Sequence, residues 1–324
     1  MTPEDFMTTT GARAPVVCAG MAFVCDTPPL CIAVAQAGGV GALAGSLHAP
    51  DTLRAAIRTV RAATDGPFHV NQLTVFPHAP HMQVLAEERP TAVSFHWGAP
   101  SDEDVATLRG AGVPFWVQVG SAAQAREAVE AGAAVVIAQG EEAGGHNYGE
   151  APLATLLPQV IAAAGEGVGV LAAGGIATAE DARAALAAGA SGVWVGTRFL
   201  ATPEANAHPD YKAAVVAAAE GATELTGVFG PENPGFNPMR VLSNAVTAEW
   251  RGREAELPTD RAHMAPVGAT MFGPQEVPVR PFDSFVPVPQ TTGDVSAYPL
   301  LCGAGVGRIG ALMPAGDVVR SLAG

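Results

Sequence analysis

From Pro15 to about residue 217, short apolar runs alternate with Ala-rich stretches whose apolar positions recur at helical spacing. The strand-like runs are 16–20, 40–45, 68–73, 92–97, 115–120, 134–140, 168–174 and 192–200, and each is followed by a helix-like segment. Near-continuous apolar strands suit a parallel sheet whose outer face is covered by helices. Strand–helix alternation makes βαβ units, and eight of them close a barrel, so the pattern predicts a (β/α)8 TIM barrel.

An internal near-repeat sharpens this. Residues 121–140, SAAQAREAVEAGAAVVIAQG, align without gaps on residues 178–197, TAEDARAALAAGASGVWVGT. Both copies open on a residue suited to cap a helix, carry Ala-Arg along it, leave through Ala-Gly-Ala and enter an apolar strand. The glycine at each helix end supplies a left-handed cap. Two copies of one unit are expected of a barrel; a doubly wound sheet is the alternative.

After residue 203 the periodicity breaks. A helix is expected over 208–220, an extended run over 224–230, and a polar segment rich in Pro and Arg begins at 236–250. From Pro274 to Pro299 prolines recur every few residues, which forbids regular helix. The expected division is a barrel over 1–203, a lid or substrate domain laid across its mouth over 204–290, and a C-terminal segment, 291–324, returning to the barrel.

Composition narrows the function classes. Apolar residues make up 48% of the 324, enough for a large core without metal or disulfide staples. The net charge of −14 argues against nucleic acid, whose phosphates need a surplus of Lys and Arg. Cys18, Cys25, Cys31 and Cys302 form no CxxC pair or zinc spacing and are expected to be buried free thiols in a reducing cytoplasm. Residues 1–13 are polar and carry Glu4 and Asp5, unlike a signal peptide, and no run reaches the length of a membrane span. A monomer and a homodimer are equally compatible with a barrel of this size.

The candidate chemistry lies where barrels place it, at the C-terminal ends of the strands, with phosphate after the last two. Those ends carry Gly174 and Gly175, and Val195, Gly196 and Thr197. Backbone N–H groups freed by glycines make an anion nest. Three carboxamides sit at other strand ends, Asn71, Gln118 and Gln139. An amide in an apolar strand is costly to bury unless something bonds it, and amides match the alternating acceptors and donor of a flavin's pyrimidine edge. For any one of them the alternative is an amide that ties down a neighbouring loop. The loop after the sixth strand, QGEEAGGHNYG over 139–149, carries His146 among glycines, a side chain able to act as base or donor near neutrality. His96, at the end of the fourth strand, is expected in the pocket, and His48, His69, His78, His81, His208 and His263 in surface or structural roles.

The run from Gln139 to His146 resembles the signature of the nitronate monooxygenase (formerly 2-nitropropane dioxygenase) family, and the likeness covers most of the chain. It includes AGGVG at 37–41, Val70-Asn71, VSFHWG at 93–98, AAGGI at 172–176 and GTRFL at 196–200. The resemblance implies FMN at the barrel mouth, contacted by position from Asn71, Gln139, Gly144, Gly175 and the turn Trp194, Val195, Gly196, Thr197; Ala19, Gly20, Met21, Gln118, Gly145 and Gly174 are further expected cofactor contacts. It implies His146 as the catalytic histidine, His96 and Tyr148 in the substrate pocket, and no metal. It further implies an alkyl nitronate or nitroalkane and dioxygen as substrates, with a carbonyl compound and nitrite as products. FMN-dependent enoyl-ACP reductases, which use NAD(P)H, carry a similar Glu-Ala-Gly-Gly-His loop and are the alternative; a flavin-binding barrel without catalysis is a third. Two departures border the substrate space. Asn147-Tyr148 follows the histidine where Arg-Gly is common, and Ala19-Gly20-Met21 stands where a Pro-Met pair is commoner.

Overall fold

The structure is a computed structural model that describes residues 1–273 and 275–324. Its first nine strands are β1 (Val16–Cys18), β2 (Gly41–Ala44), β3 (Phe68–Leu73), β4 (Ala92–His96), β5 (Phe115–Val119), β6 (Val135–Gln139), β7 (Gly145–His146), β8 (Gly169–Ala173) and β9 (Gly192–Val195). All except β7 join one parallel sheet in the order β1-β9-β8-β6-β5-β4-β3-β2. A parallel bridge from Val17 to Val40, with Cys18 N–H donating to the Val40 carbonyl at 2.9 Å, joins the two ends of that order. The barrel is closed, as the apolar periodicity predicts.

Seven helices follow the first seven barrel strands, from Pro28–Ala37 to Ala179–Ala187. The repeat behaves as its residues require. Ser121 accepts from Gln124 N–H and Thr178 from Asp181 N–H, and Gly132 and Gly189 leave their helices at φ 99° and 100°. The eighth strand is shorter than its apolar run suggests. Gly196 turns the chain after Val195, and Thr197–Leu200 coils into a single helical turn. The chain then leaves the barrel and returns only at its end. The helix Ala315–Ala323 packs against Pro28–Ala37, Ala179–Ala187 and β1, in the place of an eighth barrel helix.

The barrel's interior floor has an occupant that the polar start of the chain conceals. Thr2 and Asp5 form a reciprocal capping box on the helix Pro3–Thr10. Its Phe6, fully buried, lies 5.9 Å from the Trp116 ring among Val17, Val40, Ile137 and Leu171. Burying such a ring contributes roughly 1.5–3 kcal/mol.

Residues 204–301 carry the remaining strands, β10 (Thr223–Thr226), β11 (Met239–Leu242), β12 (Gly268–Phe272), β13 (Gln275–Val279) and β14 (Thr292–Gly293). Strand β11 pairs antiparallel with β10 on one side and with β7 on the other, so the barrel's histidine loop is stitched into the cap. A separate small core, Val228, Phe229, Met239, Val241, Leu257 and Phe282, holds this region together. The segment 236–250, polar in sequence, contains β11 and the helix Ala245–Trp250, which Asn244 caps. Among the proline-rich residues, Pro274 lies outside the described residues. Pro278 sits in β13, an edge strand where a missing N–H is tolerated. All four cysteines are free and buried, and no helix among the described residues is long and apolar enough to cross a membrane.

Candidate active site

The barrel rim has two unlike sides. On the first, β8 and β9 end in glycine turns. Gly174 and Gly175 take φ 114° and 71°, conformations that L side chains rarely adopt. A β-carbon on Gly174 would stand 3.0 Å from the Ala143 nitrogen. The N–H groups of Gly174, Gly175, Ile176, Gly196 and Thr197 donate to no backbone carbonyl among the described residues. Five such donors at two adjacent strand ends are of the kind that binds an anion. Gly196 lies beside Ala19 and Met21, whose atoms would be 3.6 and 3.5 Å from a β-carbon placed on it. The neighbouring Trp194 ring points the other way, into the barrel, 4.7 Å from His69.

A third wall comes from the C-terminal segment, which sequence reasoning left out of the site. Gly303 N–H donates to Thr197 Oγ1 at 2.9 Å and Ala304 N–H to the Glu142 carbonyl at 2.9 Å. Arg308 donates to the Gly175 carbonyl at 2.6 Å and pairs with Asp181. Gly144 is where this segment crosses the histidine loop. A β-carbon there would lie 2.6 Å from the backbone of Cys302 and Gly303, so only glycine fits. The sequence signal was the run of small residues at 303–307.

The second side is made of side chains. His146 sits in β7, paired with Met239. Its Nδ1 is 2.6 Å from the Phe236 carbonyl oxygen. A carbonyl only accepts, so Nδ1 carries the hydrogen and Nε2 keeps its lone pair. Burial holds the imidazole below its ordinary pKa, against the opposing pull of that carbonyl. Trp97 packs edge-on to it at 4.9 Å and on the Phe236 ring at 4.7 Å. Trp97 itself has φ 69°, an uncommon conformation for a bulky residue. The sequence shows no role for Trp97, within the VSFHWG run, or for Phe236, because a backbone angle and a partner 90 residues away leave no local trace.

His96 is the counterpart. Gln118 Nε2 donates to its Nδ1 at 2.7 Å, which leaves the hydrogen on Nε2. Burial, followed by repulsion from His146, pulls its pKa to about 3. The two imidazoles are therefore neutral in opposite tautomers, one with a free acceptor and one with a free donor. Tyr148 lies 5.9 Å from the His96 ring.

The three rim amides divide their tasks. Gln118 holds His96. Gln139 straddles the histidine loop, its Nε2 donating to the His146 carbonyl at 2.9 Å and its Oε1 accepting from Tyr148 N–H at 3.0 Å. Asn71 donates to Ser94 Oγ at 3.0 Å and is seated against Gly20, where a β-carbon would be 2.4 Å from the Asn71 side chain. Both glutamines thus tie down neighbours, while Asn71 and Gln118 each keep an amide oxygen without a protein hydrogen bond among the described residues. His69, expected in a structural role, lies fully buried in the barrel. A groove of about 660 Å³, lined by residues such as Phe76, Met82 and Asp104, opens outside the rim. It far exceeds the cavity of about 20 Å³ behind His146. It contains none of these groups.

The nitronate monooxygenase family model matches residues 4–82 and 74–324, nearly the whole chain. The chain belongs to the nitronate monooxygenase family. It is 34% identical to a nitronate monooxygenase of Pseudomonas aeruginosa over 292 residues, 75% of this chain and 82% of that protein. Its fold is similar to that of FabK from Thermotoga maritima, with a TM-score of 0.78 and 30% identity over 98% of this chain and 94% of that one. It is also similar to a nitroalkane oxidase from Streptomyces ansochromogenes, with a TM-score of 0.77 and 28% identity over 98% and 96%. Members of this family are flavin enzymes, and the unpaired N–H groups at the glycine turns and the open amide oxygens at the rim are donors and acceptors of the kind such a cofactor requires.

Proposed function

We propose that this protein is an FMN-dependent oxidoreductase that converts alkyl nitronates or nitroalkanes, with dioxygen, to a carbonyl compound and nitrite. The observation that carries the proposal is His146, half-buried, neutral and clamped at Nδ1 so that Nε2 is a free base on the rim loop that follows β6. FMN, when bound, supplies the electron acceptor. Its phosphate would be held by the N–H groups of Gly174, Gly175, Gly196 and Thr197, and Asn71 would meet the ring system. His146 Nε2 takes the acidic α-proton of a neutral nitroalkane, and the Phe236 carbonyl steadies the imidazolium that results. His96, with Nε2–H outward, donates to a nitro oxygen as negative charge gathers there. Trp97, Phe236 and Tyr148 keep water from the pair. We assign the enzyme to the cytoplasm, where its four free thiols stay reduced.

The test is the visible spectrum of the purified protein followed by oxygen uptake with a small panel of nitronates and nitroalkanes. A flavin spectrum and oxygen uptake with nitrite release are expected. Anaerobic mixing with NADPH that bleaches the flavin quickly, without turnover of any nitro compound, would move the protein to the reductases.

A further inference from the structure

Below the rim, four groups form a chain of hydrogen bonds that has only one possible direction. His69 Nε2 lies 2.9 Å from the Cys18 carbonyl oxygen and its Nδ1 lies 2.9 Å from Ser94 Oγ. Ser94 Oγ in turn lies 3.0 Å from Asn71 Nδ2. The Cys18 carbonyl cannot donate, so His69 carries its hydrogen on Nε2. Its Nδ1 can then only accept, and the one hydrogen of Ser94 must point to it. Ser94 Oγ is left to accept, so Asn71 must turn its NH2 inward. The Ser94 carbonyl, 3.4 Å from the same nitrogen, favours the same orientation.

We propose that Asn71 offers the ligand its amide oxygen and never its nitrogen, an orientation imposed from inside the barrel by Cys18 through His69 and Ser94. The inference rests on the FMN reading. The pyrimidine edge of oxidised isoalloxazine carries a single N–H, at N3, among acceptors, so a fixed acceptor at Asn71 selects that position. Ser94 and His69 are positioning residues that touch no ligand. His69 and Ser94 are fully buried, and a histidine and a serine inside an apolar barrel would otherwise be costly. Burial also holds the His69 pKa down to about 4, so the neutral form that the chain requires persists above that pH.

The experiment is titration of the apoprotein with FMN and with N3-methyl-FMN, followed by flavin fluorescence. A blocked N3 leaves a buried acceptor unmatched, so the unaltered protein should bind the methylated flavin roughly 10- to 100-fold more weakly. In Ser94→Ala the Asn71 amide keeps only the long contact to the residue-94 carbonyl, too weak to fix its orientation, and the ratio should fall to about 3-fold or less. His69→Gln can still donate to Cys18 and accept from Ser94, and should retain the ratio of the unaltered protein. If Ser94→Ala does not fold, His69→Leu, which releases the Ser94 hydroxyl, carries the same expectation. A purely structural role would weaken both flavins alike and leave the ratio unchanged, which overturns the proposal. So does equal binding of both flavins by the unaltered protein. If that protein binds no FMN at all, the flavin reading itself falls, and this inference with it.

Discussion

The two sides of the barrel rim handle charge in different ways. Around Gly174, Gly175, Gly196 and Thr197 the donors are backbone N–H groups, fixed in place by left-handed turns and a short helical turn. Around His146 and His96 the working groups are side chains whose protons are assigned by partners from other elements, the Phe236 carbonyl and the Gln118 amide. A phosphate keeps its charge through a reaction, so donors that never change suit it. A proton must be taken and returned, so the other side needs groups that titrate but start neutral. The difference teaches that one rim can anchor a cofactor with geometry alone while tuning acid–base chemistry by burial.

Changes at the rim histidines should have the largest effects. His146→Ala should retain FMN yet lose activity on a neutral nitroalkane by on the order of 10²–10⁴-fold, with a smaller loss on the preformed nitronate. Oxygen uptake with both forms at equal flavin loading measures it, and equal losses would remove the base assignment. In the unaltered enzyme, kcat/KM for the nitroalkane should rise with pH through a midpoint below the ordinary imidazole value of 6.5 and then level off. A midpoint at or above that value would show a solvated histidine.

Acid stability separates the buried histidines from the surface ones. His69 and His96 are held down to about 4 and about 3, whereas an unfolded chain takes up protons near 6.5. Their contribution is present above pH 6.5 and is lost as pH falls toward those values. For His69 the span from 6.5 to about 4 corresponds to roughly 3 kcal/mol. Denaturant melts between pH 7 and 4 should show His69→Leu with the flatter acid limb; parallel limbs would mean the site is wetter than its burial indicates.

On the anchoring side, Gly174→Val should weaken FMN binding about 100-fold, since a β-carbon at φ 114° forces the nest open. An unchanged dissociation constant in a folded variant would place the phosphate elsewhere. Gln139→Leu is expected to have the smallest effect. It removes the two bonds that hold the histidine loop, and a loss of roughly 1–3 kcal/mol is the usual consequence for groups left unpaired. That loss should show in kcat for the nitroalkane, with FMN affinity nearly unchanged.

How far each side was legible in sequence follows from the same contrast. The glycine turns could be located because the barrel periodicity numbers the strands and tells which ends come last. His146 stood out because its loop is glycine-laced. The tasks of Gln118 and Gln139 could not be assigned, since whether an amide faces a ligand or a neighbouring backbone depends on loops that fold over it later. Trp97, present in the VSFHWG run, and Phe236 could be given no role for a related reason. Their importance lies in a left-handed backbone and a carbonyl brought in from the cap. The helix Pro3–Thr10 was missed because only Phe6 of its buried face interrupts a polar stretch.

By itself the order of residues determined eight buried strands, the helices that cover them and the glycines that end them. These depend on local periodicity and backbone freedom, which neighbours along the chain suffice to specify. Only the tertiary structure decided which nitrogen of each imidazole holds its hydrogen and which way Asn71 turns. A proton follows the nearest acceptor in space, and those acceptors, Phe236, Cys18 and Ser94, are distant in sequence and meet their partners only when the barrel closes and the cap pairs with it.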